Sequence, residues 1–400
     1  MGLRIVDAGT FSRIQHLYCV PTMDDVWTKV NTEELQRFQD KPVMVSGDGR
    51  NDSPGHCAQY CTYTLMEHGT GHILAQVILD KRMTTCSVAM EKEGLKKCLR
   101  FLSEKGVEVT ELVTDAHASI AAMMKKDYSH INHQWDVWHG ATNIGKKLHV
   151  KADIKANDAS KEWVPAITNH FWYCSSQAKG SKTEFLGRWR GLVHHTTGVH
   201  QWFDGSMSRP ECDHPPMEEP GDGKEWLQAG GPAHKALTQV VFENRFLNTL
   251  HHYVHFRHTG ELEIFHHHLL MYAGKRFAFS PPVYKARNQL AALDYHLHAD
   301  RPYKTDAQGN ILHRRMYNKR SKNWFAVKMK GPKVYSYIKD LQEKIIHCRL
   351  TSKGPLAQTA VLQDNDPRRI ARTLIGNDVP ALETLVERQF NRGAVSQQHD

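Results

Sequence analysis

Between residues 41 and 139 short apolar runs alternate with amphipathic stretches, the pattern of an α/β unit. PVMVSGD predicts a strand over 42–48, and the stretch from Cys57 to Lys81 predicts a hairpin turning at Gly69–Gly71. A helix follows over 89–105, ended by Gly106, then a strand over 107–114, a helix over 117–126 and a short strand over 131–136. Ahead of this unit, residues 1–40 read as a helical lead-in, the end of an upstream region, with a cap-rich helix in TMDDVWTKVNTEELQRFQD. Residues 140–255 turn Trp-rich and helical, broken by the Pro- and Gly-rich FDGSMSRPECDHPPMEEPGDGKEW. Residues 256–350 carry the helical segment ELEIFHHHLLMYAGKRF, a helix near 284–297, a basic hairpin within 313–333 and a helix near 335–347; residues 351–400 form a polar tail.

Two of the predicted strands deliver an aspartate at their C-terminal ends, Asp48 and Asp115. A buried strand ending in a carboxylate carries that acid to the rim of an α/β sheet, within reach of metal and phosphate. A third acid, Glu261 or Glu263, opens the downstream helix. Strand acid, strand acid and distant helix acid form the ground plan of a two-metal nuclease or polynucleotidyl transferase. Each acid alone has a plainer role: Asp48 can form an Asp-Gly turn, and Asp115 can cap the helix of TDAHASI. Asp136 and His139 follow the last strand, where Asp136 can cap a helix and His139 can pack against Trp135 or Trp138.

These residues meet a family. GDGRNDSPG around Asp48, TDAH around Asp115, Asp136-Val-Trp-His139 as a C/D-x-x-H motif, and LEIFHHHLLMYAGKRF around Glu263 resemble the catalytic core of eukaryotic DDE transposases, closest to transposon-derived vertebrate proteins related to the hAT and Mutator-like groups. The resemblance covers residues 43 to about 290. It implies an RNase H-like mixed sheet flanked by helices and interrupted by a mainly α-helical insertion. It further implies that Asp48, Asp115 and Glu263 hold Mg²⁺ or Mn²⁺ and carry out DNA strand cleavage and transfer. Glu263 matches the family position better than Glu261. Asp136 is then an auxiliary acid, and His139 is expected either to contact substrate phosphate or to steady an active-site carboxylate; Arg50, close to the site by sequence, is a further candidate for a substrate phosphate contact. Double-stranded DNA is the implied partner, homo-oligomerisation is a further expectation, and the expected location is the nucleus. The alternative within the same fold is a domesticated, catalytically silent DNA-binding or interaction protein. Such transposases generally carry an N-terminal zinc-binding recognition module, and none is visible in this chain.

Composition sharpens this picture. The chain has a net charge of +9 and a pI near 9.0, which favours a polyanionic partner. The basic excess concentrates in HRRMYNKRSKNWFAVKMKGPK, where Arg314, Arg315, Lys319, Arg320, Lys322 and Lys328 interleave with aromatics suited to backbone contact and base stacking. The plainer alternative is a solvated basic hairpin. No apolar run approaches the roughly 18 residues of a membrane span, and the N-terminus lacks the layout of a secretory signal, so no membrane partner is expected.

Eight cysteines in 400 residues make no disulfide scaffold. Cys174, Cys212 and His214, with His195 or His200 as a fourth ligand, are candidates for a structural Zn²⁺, against the alternative of buried unligated cysteines. Cys57 and Cys61 point the same way on a predicted strand and suit core packing. Trp189 and Trp202 are candidates for base stacking, against the commoner role of tryptophan in a helical core.

Overall fold

The computed structural model describes residues 6–53, 58–84, 86–202, 211–215, 217, 219–220, 224–319, 323–352, 356 and 381–387. Cys57, Arg320 and Lys322 lie outside the described residues.

Helix α1 (Ala8–Ile14) runs through a π-helical turn into α2 (Val20–Gln36), which leads to strand β1 (Pro42–Asn51). The chain continues through β2 (Tyr60–Glu67), β3 (Ile73–Asp80), α3 (Ser87–Glu104), β4 (Glu108–Thr114), α4 (Ala118–Asp127) and β5 (Asn132–Trp135). These strands form one mixed sheet in the order β3-β2-β1-β4-β5. The first three pair antiparallel, whereas β4 lies parallel to β1 and β5 parallel to β4. The three-strand meander and the two helical crossovers follow the apolar runs and glycine turns of the sequence; Gly106, at φ +73°, takes the left-handed conformation that closes α3.

A second, helical core follows: α5 (Val137–Ala152), α6 (Val164–Ala178), α7 (Lys182–His195), α8 (Pro232–Val241) and the short α9 (Asn244–Leu247). Trp163, Phe171, Phe185, Trp189, Leu237 and Tyr253 fill it. The first helix of this core begins at Val137, directly after the sheet. Trp189 is fully buried and donates its indole N–H to the carbonyl of Val241, so it is a core residue and offers no face to a base. Trp202 stacks on His194 and presses so closely on Gly191 that a Cβ there would meet its ring at 2.6 Å.

The chain then returns to the sheet through α10 (Gly260–Leu269) and α11 (Pro281–Ala299), adds the two-stranded β6 (His313–Asn318) and β7 (Asn323–Lys328), and continues into α12 (Ser336–Thr351). Alternation along β2 explains why the sheet is covered on both faces. Tyr63 and Leu65 pack with Leu95 and Leu99 of α3. Tyr60 and Met66 point the other way and pack with Phe265 of α10, Tyr284 of α11 and Trp27 of α2.

The lead-in is therefore part of the core rather than the end of a separate region. Met23 and Trp27 are buried, and Asn31 donates to the carbonyls of Ile73 and Leu74 at 3.3 and 3.1 Å. Glu34, also buried, takes hydrogen bonds from His72 and Arg37. Cys61 is buried beside Ala58, Leu79 and Met90, as core packing requires. Among the described residues no helix is long and apolar enough to cross a membrane.

Candidate active site

Parallel pairing of β1 and β4 sets Ser46 opposite Val113. Two residues further along stand Asp48, still within β1, and Asp115, the first residue after β4. The register thus places the two acids side by side where the parallel pair ends. α10 crosses this edge carrying Glu263 and His266, three residues apart and hence on one helical face. The N-terminal turn of α5 supplies His139.

Imidazoles stitch these acids together. His139 Nε2 lies 3.3 Å from Asp115 Oδ1 and 3.6 Å from Glu263 Oε1. His266 Nδ1 lies 3.4 Å from Asp48 Oδ2. Two acids separated by 148 residues (263 minus 115) therefore converge on one ring nitrogen. Glu261 turns to the hydroxyl of Tyr295 at 3.4 Å, so Glu263 is the acid of this helix that enters the cluster.

Asp136 is the hinge pin of the arrangement. It is buried, one carboxylate oxygen caps α5 by accepting the N–H of His139 at 3.0 Å, and the other accepts the N–H and hydroxyl of Thr259 at 2.8 and 2.6 Å. Both oxygens are committed to positioning the helices that carry His139 and Glu263.

The cluster has more negative charge than its partly desolvated setting favours. Burial, and then the nearby charge of Asp48, push the Asp115 carboxyl up to about 7, against the opposing pull of His139. Glu91 of α3 is likewise raised to about 7, first by burial and then by Asp48 and Asp115. The motifs do not point to Glu91; the one trace of it in the sequence is the glycine that follows Asp48. A Cβ at Gly49 would come within 2.6 Å of the Glu91 side chain, so glycine there admits this fourth acid. Carboxylate oxygens with excess charge suit a hard divalent cation such as Mg²⁺ or Mn²⁺, whose binding would relieve their repulsion. Asp48, Asp115 and Glu263 are the residues that could hold it.

Other expected contacts fall elsewhere. Arg50 is buried and donates to the carbonyl of Ala273 at 2.9 Å; it braces the chain after α10 and does not present a guanidinium to phosphate. Strand parity puts Arg50 on the same face as Asp48, but it is covered there by the chain after α10 and by α11. Arg314, Arg315 and Lys319 are exposed on the β6–β7 hairpin, and Lys328 lies over the ring of Tyr303 at 5.4 Å. Cys174 is fully buried in the helical core with its Sγ 3.3 Å from His170 Nε2, a packing position apart from Cys212 and His214.

The chain matches no protein-family model, no curated protein and no solved structure.

Proposed function

We propose that this chain is the catalytic core of an RNase H-like DDE transposase, cleaving and transferring strands of double-stranded DNA in the nucleus with Mg²⁺ or Mn²⁺. The observation that carries this reading is the approach of Asp48 on β1 to Asp115, just past the end of the parallel strand β4, with Glu263 reaching the same His139 as Asp115 from a helix far downstream. A strand order of β3-β2-β1-β4-β5, with the first three antiparallel, supports the RNase H-like assignment. Bound between these acids, divalent cations would activate a water or 3′-hydroxyl and neutralise the leaving oxygen.

The chain's own groups prepare that chemistry. His139 fixes the spacing of Asp115 and Glu263, and Asp136 holds His139 by capping its helix. Glu91, its carboxyl raised to about 7 by burial and by Asp48 and Asp115, is readily protonated beside Asp48 as pH falls below neutral. A supercoiled-DNA nicking assay in Mg²⁺ or Mn²⁺ tests the reading. The parent protein should nick, while Asp48→Ala and Glu263→Gln should lose at least about 10²-fold in rate, as expected when a metal-holding group is removed. Equal nicking by parent and variants would overturn the assignment.

A DNA-binding protein without turnover is the second reading, supported by the exposed basic hairpin, which needs no acid cluster to grip phosphate. It predicts DNA binding in the absence of nicking under any divalent cation.

A further inference from the structure

We propose that His195, His200, Cys212 and His214 form a structural zinc site that fastens the irregular segment after α7 to the helical insertion. Their donor atoms all lie within 4.8 Å of one another. His195 is the last residue of α7, while the other three come from the chain that follows it. The backbone prepares the convergence: the N–H of Cys212 donates to the carbonyl of His200 at 3.0 Å, and Gln201 pairs with Glu211.

Distances match shared coordination. His214 Nε2 is 3.3 Å from His195 Nδ1, and Cys212 Sγ is 3.6 Å from the same nitrogen. A tetrahedral zinc with Zn–N bonds of about 2.05 Å and a Zn–S bond of about 2.3 Å has edges of about 3.4 Å between nitrogens and about 3.6 Å between nitrogen and sulfur. The three imidazole rings are also equidistant, with centroids 5.2, 5.1 and 5.1 Å apart, as rings converging on one point would be.

Two further observations point to a ligand. His200 is only 9 % exposed, and neither of its ring nitrogens has a hydrogen-bond partner. A buried polar ring without a partner is costly, and coordination would satisfy one nitrogen. The Nδ1 of His214 lies 2.7 Å from the carbonyl of Pro215; an Nδ1–H donating there leaves the Nε2 lone pair facing the cluster, the outer bond that usually orients a zinc-bound histidine. Four protein donors close a tetrahedral shell with no position for substrate, which makes the site structural. Neighbouring Asp213 is bound separately by Arg188 and Tyr173, so the loop approaches from a fixed side.

The test begins with the intact chain reconstituted with zinc. About one zinc per chain should survive dialysis, and the cobalt form should show tetrahedral absorption with a thiolate-to-cobalt charge-transfer band. Cys212→Ser should abolish that band, Cys174→Ser should keep it, and Asp48→Asn should retain the zinc, separating this site from the acid cluster. A readout independent of variant folding is alkylation of the parent protein: zinc should slow iodoacetamide labelling of Cys212 about tenfold, and a chelator should restore it. Absence of stoichiometric metal, a cobalt spectrum without the thiolate band, or Cys212 labelling indifferent to zinc would each overturn the proposal.

Discussion

Thr259 donates both its backbone N–H and its hydroxyl to a single oxygen of Asp136, across 123 residues of sequence, at 2.8 and 2.6 Å. Thr259 is the residue preceding α10, and Asp136 is the residue preceding α5. One carboxylate therefore joins the starts of the two helices that carry His139 and Glu263.

Asp136→Asn should destabilise the protein strongly, because the amide turns donor groups toward donors at a buried position and weakens the cap of α5. Loss of a cap and of charge-assisted buried hydrogen bonds is expected to cost about 2–4 kcal/mol, read as a lower urea midpoint. Thr259→Val removes one donor and should cost about 1–2 kcal/mol. In the double variant the costs should fall short of their sum, since the two changes remove the same bonds. Full additivity would show that Asp136 and Thr259 act independently.

The acid cluster predicts an inverted response to pH. Asp115 and Glu91 have carboxyls raised from ordinary values of 3.8 and 4.5 to about 7. Between about pH 4 and 7 the folded chain keeps protons that the unfolded chain has released, so these two groups make stability fall as pH rises through that window. Their penalty is absent below it and complete above it. Both groups are partly open to solvent, which reduces the effect. If the acids hold a divalent cation in their ionised form, Mg²⁺ or Mn²⁺ should raise the thermal midpoint more at pH 8 than at pH 5. Glu91→Gln should raise the cation-free midpoint at pH 8 and flatten the profile. A cation effect equal at both pH values would separate metal binding from these carboxyls.

Removal of residues 1–40 should leave an insoluble or unfolded chain, because α2 covers one face of the sheet. The sharper form of this prediction is Trp27→Ala, at a site only 7 % exposed among Met23, Leu262 and Phe265. Loss of a buried aromatic of this size costs about 3–5 kcal/mol. A denaturation midpoint matching the parent would make the helix dispensable.

Most of the sheet was legible in the sequence because its strands are short apolar runs bounded by glycine or acid, and a period of two needs no tertiary information. Asp48, Asp115 and Glu263 were legible through order and context, while His139's position between two of them depends on how α5 and α10 cross. Glu91 was hidden among the lysines of an amphipathic helix, where nothing local distinguishes a solvated acid from one facing the sheet. Arg50 misled because exposure depends on what packs above a strand. Cys174 misled because sequence proximity to other donors does not reveal that its helix points it toward His170 and the core. Met23, Trp27 and Leu35 lie at helical spacing and bury one stripe of α2, a pattern present in the sequence but overshadowed by the helix's polar residues.

DNA binding should rest on the basic hairpin and survive loss of the acid cluster, because phosphate contacts position a duplex without any contribution from catalytic metals. The hairpin is suitably placed: Asn318 at the end of β6 shares a groove with Trp138, Lys146 and His149 of α5, and Trp138 adjoins His139 of the acid cluster. A duplex lying along that groove would run from the exposed cations toward the carboxylates. Neutralising Arg314, Arg315, Lys319 and Lys328 should weaken binding to all sequences nearly equally and flatten the salt dependence by roughly 0.9 per lost contact, about 3–4 in total if all four touch phosphate. Asp48→Ala should instead leave affinity intact or slightly higher, since it removes a negative charge near the backbone, while abolishing nicking. Titrations at several salt concentrations separate these effects. A hairpin variant that keeps the parent's affinity and salt slope would make the β6–β7 cations a solvated face and move the DNA path away from the groove beside Trp138.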